Sequence, residues 1–214
     1  MRHDTSGWRI EYRDRVSPRF DIDIDIDIDD RDRLRAREPT RKQIVEAAPR
    51  LARFYSDPHN QAMLAQDEDQ SAVDVVAHYR ALAKEAARAF FLEVDDRLVG
   101  DADLRSLTRQ SAEVAILIGD RSMQGRGLGT RFGIMLHAFA FGALRLRRTY
   151  ASIIPANEGS LRLFEKLGYE RDDTPAARRF ADEPTDLTLS LGPTRFQGLH
   201  GPAAARVRVT KHRR

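Results

Sequence analysis

Cysteine is absent from all 214 residues. That excludes a disulfide framework, a thiolate metal site and a cysteine nucleophile. Long apolar runs are missing too. No stretch is long enough to cross a bilayer, and the polar, charged opening residues do not form a signal peptide. A soluble, cytoplasmic protein with no membrane partner is the expectation. None of the six histidines shows ligand spacing, so no metal is expected. Acidic residues are missing from residues 193–214, which carry Arg195, Arg206, Arg208, Lys211, Arg213 and Arg214. Aromatic residues are not interleaved there for base stacking. The stretch reads as a solvated basic tail, and nucleic acid is not an expected partner.

What is present points to one ordinary domain with an attachment at each end. Residues 21–30 read DIDIDIDIDD. The alternation fits a strand, but aspartate is a poor strand former and a row of like charges repels itself. An EF-hand loop would need a turn glycine and a distal glutamate, and neither is there. Residues 1–31 are therefore read as an acidic, low-complexity, disordered leader, 32–192 as the domain and 193–214 as the tail. A short strand is expected over residues 33–38. Thr40 caps a helix toward Ala48, and Pro49 restarts one that ends at Tyr55. Ser71 and Asp74 make a capping box, followed by Val75, Tyr79, Leu82 and Ala86 on one helix face. Strands follow over 90–94, 98–104 and 111–118. A helix with Phe132, Met135, Phe139 and Ala143 on one stripe comes next. A strand over 149–154, a helix over 159–167 capped by Gly168, and a strand over 186–191 complete the order. The order predicts a mixed α/β fold with a mostly antiparallel sheet and flanking helices, not a doubly wound dinucleotide domain.

Between the strand at 111–118 and the next helix lies GDRSMQGRGLGTRF, residues 119–132. Alternate glycines at Gly125, Gly127 and Gly129 expose backbone N–H groups, and a helix starting there turns its positive end toward the loop. That favours an anion, most simply a phosphate. A P-loop needs lysine followed by serine or threonine after its last glycine, and Thr130 and Arg131 stand there instead. A dinucleotide fingerprint needs a glycine where Thr130 stands and an acidic residue near the end of the next strand, which ASIIPAN lacks.

Gln124, Gly127 and Gly129 form Q-x-x-G-x-G. With NEGSLRLFEKLGY, residues 157–169, the pattern resembles the GNAT family of N-acetyltransferases. Asn157, Ser160, Phe164, Lys166, Gly168 and Tyr169 fall on that family's second segment. The resemblance spans residues 33–192, most firmly 111–170. It is nearest the branch with ribosomal-protein alanine and diamine acetyltransferases.

The resemblance implies a sheet whose neighbouring strands splay to hold acetyl-CoA as co-substrate. The pantetheine arm would pair with the backbone of Ile116, Leu117 and Ile118 and of residues 151–153. The pyrophosphate would lie on N–H groups of Gln124, Gly125, Arg126, Gly127, Leu128, Gly129 and Thr130, with Arg126 adding charge. Asn157 would contact the arm or cap its helix. Phe164 would border the cofactor, as would Lys166 unless it is a surface lysine. Glu113 would be the general base acting through water, with Asp101 and Asp103 as fallbacks. Many relatives carry tyrosine where Phe164 stands, and phenylalanine has no proton to give. Ser160 is then the candidate acid, Tyr169 the other nearby hydroxyl, and solvent the third source. His137 is read as structural. The implied partner is an amine-bearing small molecule or protein, with room for a homodimer. The alternative is a non-catalytic acyl-CoA-binding module.

Overall fold

The computed structural model of the protein describes residues 20–24, 33–85 and 87–211. The strands are β1 (Phe20–Ile24), β2 (Leu34–Arg37), β3 (Arg88–Val94), β4 (Arg97–Arg105), β5 (Ser111–Ile118), β6 (Arg148–Ile153), β7 (Glu170–Arg171), β8 (Leu187–Leu191) and β9 (Thr210–Lys211). The α-helices are α1 (Arg41–Tyr55), α2 (Pro58–Leu64), α3 (Ala72–Lys84), α4 (Leu128–His137), α5 (Glu158–Leu167), α6 (Pro175–Arg178) and α7 (Pro193–Ala204). Among the described residues the strands form one sheet in the order β7-β8-β6-β5-β4-β3-β2-β1-β9. Every pairing is antiparallel except β5 with β6. The expected mixed, mostly antiparallel sheet is what forms.

The sheet buries both faces. On one, Leu34, Phe90, Leu104 and Val114 pack with Phe132, Met135 and Phe139 after the glycine loop and with Phe196 of α7. On the other, Ala89 and Phe91 meet Leu51 of α1 and Val75 and Tyr79 of α3. Local chemistry sets the helix starts. Thr40 and Ser71 each accept from the third residue of their helix in a full capping box. Asp95 and Asp96, both left-handed at φ 49° and 62°, turn β3 into β4 in the way a tight hairpin demands. Ala86 lies outside the described residues.

Four expectations are corrected. Pro49 does not restart a helix. It sits inside α1 on the exposed side, so the carbonyl it leaves without a donor faces water, and the apolar face of Ile44, Ala48 and Leu51 holds the helix together. The stripe after the glycine loop does not reach Ala143, which is exposed. Residues Ala138–Ala143 widen into a π-helical turn, in which the Leu144 N–H bonds Phe139 O at 3.0 Å. The extra residue per turn rotates Leu144 inward in place of Ala143.

Residues expected in a leader supply β1, whose register sets Asp21 and Asp23 opposite Arg37 and Arg35 and sets Ile22 and Ile24 opposite Ala36 and Leu34. In that register the row of like charge that argued against a strand stands opposite a row of basic positions on its neighbour. The rest of residues 1–31 lies outside the described residues, apart from Phe20. Residues expected in a free tail form α7, with Phe196 only 2% exposed in the core, and β9, paired to β1.

Candidate functional site

The glycine loop follows directly from the end of β5. Asp120 caps a short 3₁₀ turn over Arg121–Met123 by accepting from the Ser122 N–H. Gly125 and Gly127 then adopt φ of 71° and 76°, the left-handed region that only glycine enters freely. A Cβ on either would meet nothing within 4 Å, so both backbones border open space. Gly129 has a different task. A Cβ there would stand 3.2 Å from the Leu163 side chain, so this glycine lets α4 approach α5. Gly127 caps α4 without a side chain, and the first N–H groups of the helix, from Leu128, Gly129 and Thr130, lie too early for intrahelical acceptors.

The Gln124 side chain points back into the protein. Its Nε2 donates to Ile118 O at 2.7 Å and to Asn60 Oδ1 at 2.9 Å. Asn60 is 1% exposed and donates from Nδ2 to Phe54 O at 2.8 Å and to Gly119 O at 3.0 Å. One amide thus ties the ends of α1 and β5 to the loop. The sequence analysis assigns no element between Tyr55 and Ser71 and so gives Asn60 no role. Asp57 as cap and Pro58 in the first turn are a helix-start signature that places Asn60 on α2.

Next to the loop, the sheet opens. β5 and β6 pair only at Ser111, Ala112 and Glu113 with Arg148, Thr149 and Tyr150. Beyond that seam β5 continues to Ile118 on β4 alone, and β6 continues to Ile153 on β8 alone. The facing edges of residues 114–118 and 151–153 are unpaired with each other. A cleft of about 580 Å³ runs from this gap to the loop, lined by Ile116, Leu117, Ile118, Gln124, Gly125, Gly127 and Thr130 among others. A second cavity of about 310 Å³ lies on the side of α1 and α3, and both are bordered by Ile116, Leu117, Asn157 and Ser160. The two openings meet at the splay.

The second cavity is acidic. Asp101, Asp103, Glu113, Asp182 and Asp186 line it, with Arg105 and His78. In the β4–β5 ladder Arg105 pairs with Glu113, Asp103 with Ala115 and Asp101 with Leu117, so these residues share one face. Arg105 donates to both oxygens of Asp103, at 2.8 and 3.2 Å. Glu113 is 7% exposed. Burial pushes its carboxyl up to about 7, against the pull of Arg105 and with the push of Asp182 and Asp103. Asp101 Oδ2 accepts from Tyr55 Oη at 2.5 Å and Tyr79 Oη at 2.8 Å. Burial raises its pKa too, and the two tyrosine bonds partly offset this.

The other expected residues fall as follows. Asn157 caps α5 by accepting the Ser160 N–H at 2.9 Å and donates from Nδ2 to Met63 O at 2.8 Å, so both ends of its amide hold protein. Ser160 stands where the two openings join. Phe164, 3% exposed, is packed edge-on to Tyr169, ring centres 4.9 Å apart, and still borders the acidic cavity. Arg126 is exposed, reaches Met123 Sδ at 3.1 Å and is absent from the cleft lining. Lys166 lines the cleft.

Tyr169 is removed from the candidate acids. It is buried, burial pushes its hydroxyl well above the usual range, and it stands 2.8 Å from His137 Nε2. His137 Nδ1 lies 2.6 Å from Gly133 O, which can only accept. Nδ1 therefore carries the proton and Nε2 accepts from Tyr169. Burial lowers the His137 pKa to about 4, which suits a neutral structural role.

Among the described residues no helix is long and apolar enough to cross a membrane. The family described as acetyltransferase (GNAT) domain matches residues 33–170. The chain is 32% identical over 84 residues to the probable N-acetyltransferase YjcK of Bacillus subtilis (strain 168), covering 38% of this chain and 46% of that protein. It spans less than half the length of the curated relatives it matches. RimJ of Mycobacterium smegmatis in complex with CoA-disulfide superposes with a TM-score of 0.64 at 18% identity, over 87% of this chain and 90% of that one. Spermidine N-acetyltransferase of Vibrio cholerae in complex with CoA and spermine gives 0.60 at 18% identity, over 76% and 97%. At that identity the likeness shows a shared fold.

Proposed function

The chain belongs to the GNAT acetyltransferase family, and from that premise we propose that it transfers an acetyl group from acetyl-CoA to a primary amine of a small molecule or protein. The observation that carries the reading is the meeting of two openings at one seam, a cleft under a glycine loop whose lining includes Arg162 and Lys166, and an acidic cavity beside it. Two solved relatives of the same fold are complexes with CoA species, which supports the choice of cofactor.

The loop fits a pyrophosphate. Left-handed Gly125 and Gly127 leave their outer side open, and the N–H groups from Gln124 to Thr130, with the helix dipole behind them, suit an anion. Arg126 adds charge from the exposed side. The pantetheine arm takes the place of a missing strand between Ile116–Ile118 and residues 151–153. The Ile118 carbonyl already accepts from Gln124, so Ile116 and Leu117 carry most of that pairing. Asn157 acts by fixing the start of α5 beside the arm, and Phe164 supplies an apolar wall.

Acetyl-CoA supplies the activated acyl group. The amine arrives as an ammonium and cannot attack until it loses a proton. Glu113 takes that proton, through a water, and its burial sets it close to neutral pH, where a base works best. The neutral nitrogen then bonds to the acyl carbon as the carbon–sulfur bond breaks. The sulfur leaves as a thiolate and is protonated through Ser160 or solvent, which in turn takes up the second proton that the nitrogen sheds as it becomes an amide. A free thiol has a pKa of about 8.5, so this step asks little of the protein.

The test is thiol release from acetyl-CoA with a panel of amines and the full chain. The chain has no cysteine, so a thiol-reactive dye reports CoA alone. Amine-dependent release supports the reading, and CoA binding without release by any amine defeats it. That second outcome belongs to the acyl-CoA-binding module, which the missing hydroxyl at Phe164 favours.

A further inference from the structure

β4 carries one residue more than β3 can pair. Glu93 lies opposite Leu98 and Leu92 opposite Gly100, so Val99 is left over as a bulge. A bulge takes one residue out of the ladder, bends its strand and adds local twist. The Val99 side chain is fully buried in the core. Its carbonyl accepts from the Asp120 N–H at 3.0 Å, where the glycine loop begins.

Gly100 follows, opposite Ile118 in the β4–β5 ladder. A Cβ on it would overlap Leu117 O outright and stand 2.9 Å from Leu117 C and 3.0 Å from Ile118 Cα. All three are backbone atoms, so no side-chain rotation relieves the clash and the strand itself would have to shift. Glycine inside a strand marks such a close approach.

This contact sits where the sheet opens. Unpaired backbone groups are costly when buried, so two parallel strands that start paired part only when something draws one aside. β5 leaves β6 after Glu113, and the part that lies over Gly100 is its far end. Ile116 and Ile118 pack against the core and β4 holds one edge. The free direction for displaced residues 117 and 118 is therefore the gap facing β6. Resting on the reading of that gap as the acetyl-CoA site, we propose that the bulge of Val99 and Gly100 is the positioning device of the cofactor cleft. Gly100 keeps the splay open by letting the end of β5 close onto β4, and the Val99 carbonyl holds the start of the glycine loop. A side chain at position 100 would press Leu117 and Ile118 into the space of the pantetheine arm. Gln124 would follow, since its Nε2 donates to Ile118 O. Neither bulge residue lines either opening, so both act through β5 and the loop.

The test measures CoA binding by calorimetry and stability by denaturant for the parent, Gly100→Ala and Leu104→Ala. Leu104 is on the same strand and fully buried, so its variant loses stability without touching the end of β5. Gly100→Ala should weaken CoA binding about 10–100-fold, the worth of two backbone hydrogen bonds to the arm. Its crystal structure should show residues 117 and 118 shifted toward β6. Leu104→Ala should bind CoA like the parent. CoA binding that is unchanged in Gly100→Ala, or weakened alike in both variants, overturns the inference.

Should Gly100→Ala not fold, Asp120→Pro and Asp120→Ala decide. Asp120 has a φ of −74°, within the range of a proline ring. Both variants lose the carboxylate, and only proline lacks the N–H that Val99 O accepts. CoA binding about tenfold weaker in Asp120→Pro than in Asp120→Ala supports the bulge as the anchor, and equal binding refutes it. A parent that binds CoA but releases no thiol with any amine defeats acetyl transfer and leaves this inference to the variants. A parent that binds no CoA overturns both.

Discussion

Replacing Glu113 by glutamine should move activity and stability in opposite directions. The carboxyl is ordinarily near 4.5, and burial pushes it to about 7 in the folded chain. The folded state therefore holds the proton over a window in which the unfolded chain has released it. Its contribution is fully present below about pH 4.5 and is lost as pH rises through about 7. At about 1.4 kcal/mol per unit, that loss is roughly 3.5 kcal/mol. Glutamine does not titrate. The stability of Glu113→Gln relative to the parent should climb by about that amount between pH 4.5 and 7 and stay level on either side. Burying the amide adds its own cost, but one without pH dependence.

Denaturant titrations at a series of pH values give the difference, and the slope in pH is the readout. The same variant should lose about 10²–10⁴ in turnover near neutral pH, with CoA affinity unchanged. Much of the rate should return at high pH, where the amine arrives neutral. In the parent, kcat/KM should rise through about pH 7 as Glu113 ionises. The groups facing Glu113 are Arg105 and Asp103 on β4, Asp182 before β8, and Tyr169 beyond α5. A relative stability that stays flat across pH 4.5–7, or turnover that is unchanged at neutral pH, would refute the assignment.

Gly127→Val should weaken CoA binding at least tenfold by calorimetry. The valine must enter a left-handed conformation at a cost of about 1–2 kcal/mol, and its side chain stands in the open space over the loop. Asn60→Leu should raise KM for acetyl-CoA and leave acceptor KM alone, because it cuts the amide that ties Gln124 to α1 and β5. A matching change in both KM values would show a general loss of fold. Phe196→Ala should cost about 3–5 kcal/mol in denaturant unfolding, and truncation before residue 193 should cost more. A truncated chain that melts like the parent would show that α7 is an accessory.

Much of the fold was legible because its causes are local. The cap at Thr40, the box at Ser71 and Asp74, the left-handed Gly168 and the run of β5 all depend on residues within a few positions of one another. What escaped depends on distant partners. Asp21 and Asp23 repel one another in isolation, and only the register with Arg35 and Arg37 makes them a strand. Pro49 ends helices in general, and only the burial of Leu51 and Ala48 carries this one through it. The π-helical turn follows from packing of Leu144 and Leu146, not from their periodicity. At the site, Glu113, Ser160 and the glycine loop were visible as residue types in a known spacing. Asn60 was not, since its worth lies in three bonds to segments up to 64 positions away.

The short seam between β5 and β6 also has a mechanical meaning. Among the described residues, three pairs stitch the two halves of the sheet edge to edge. A molecule lying in the gap would act as a strut. Its contacts would close backbone groups on both halves at once, and stiffness would pass from one to the other through the ligand. Amide hydrogens of residues 114–118 and 151–153 should exchange quickly in the free chain and slow together when CoA is added. Helices α1 and α3, on the far side of the sheet, should tighten with them, so that filling one side of the splay readies the acidic cavity on the other.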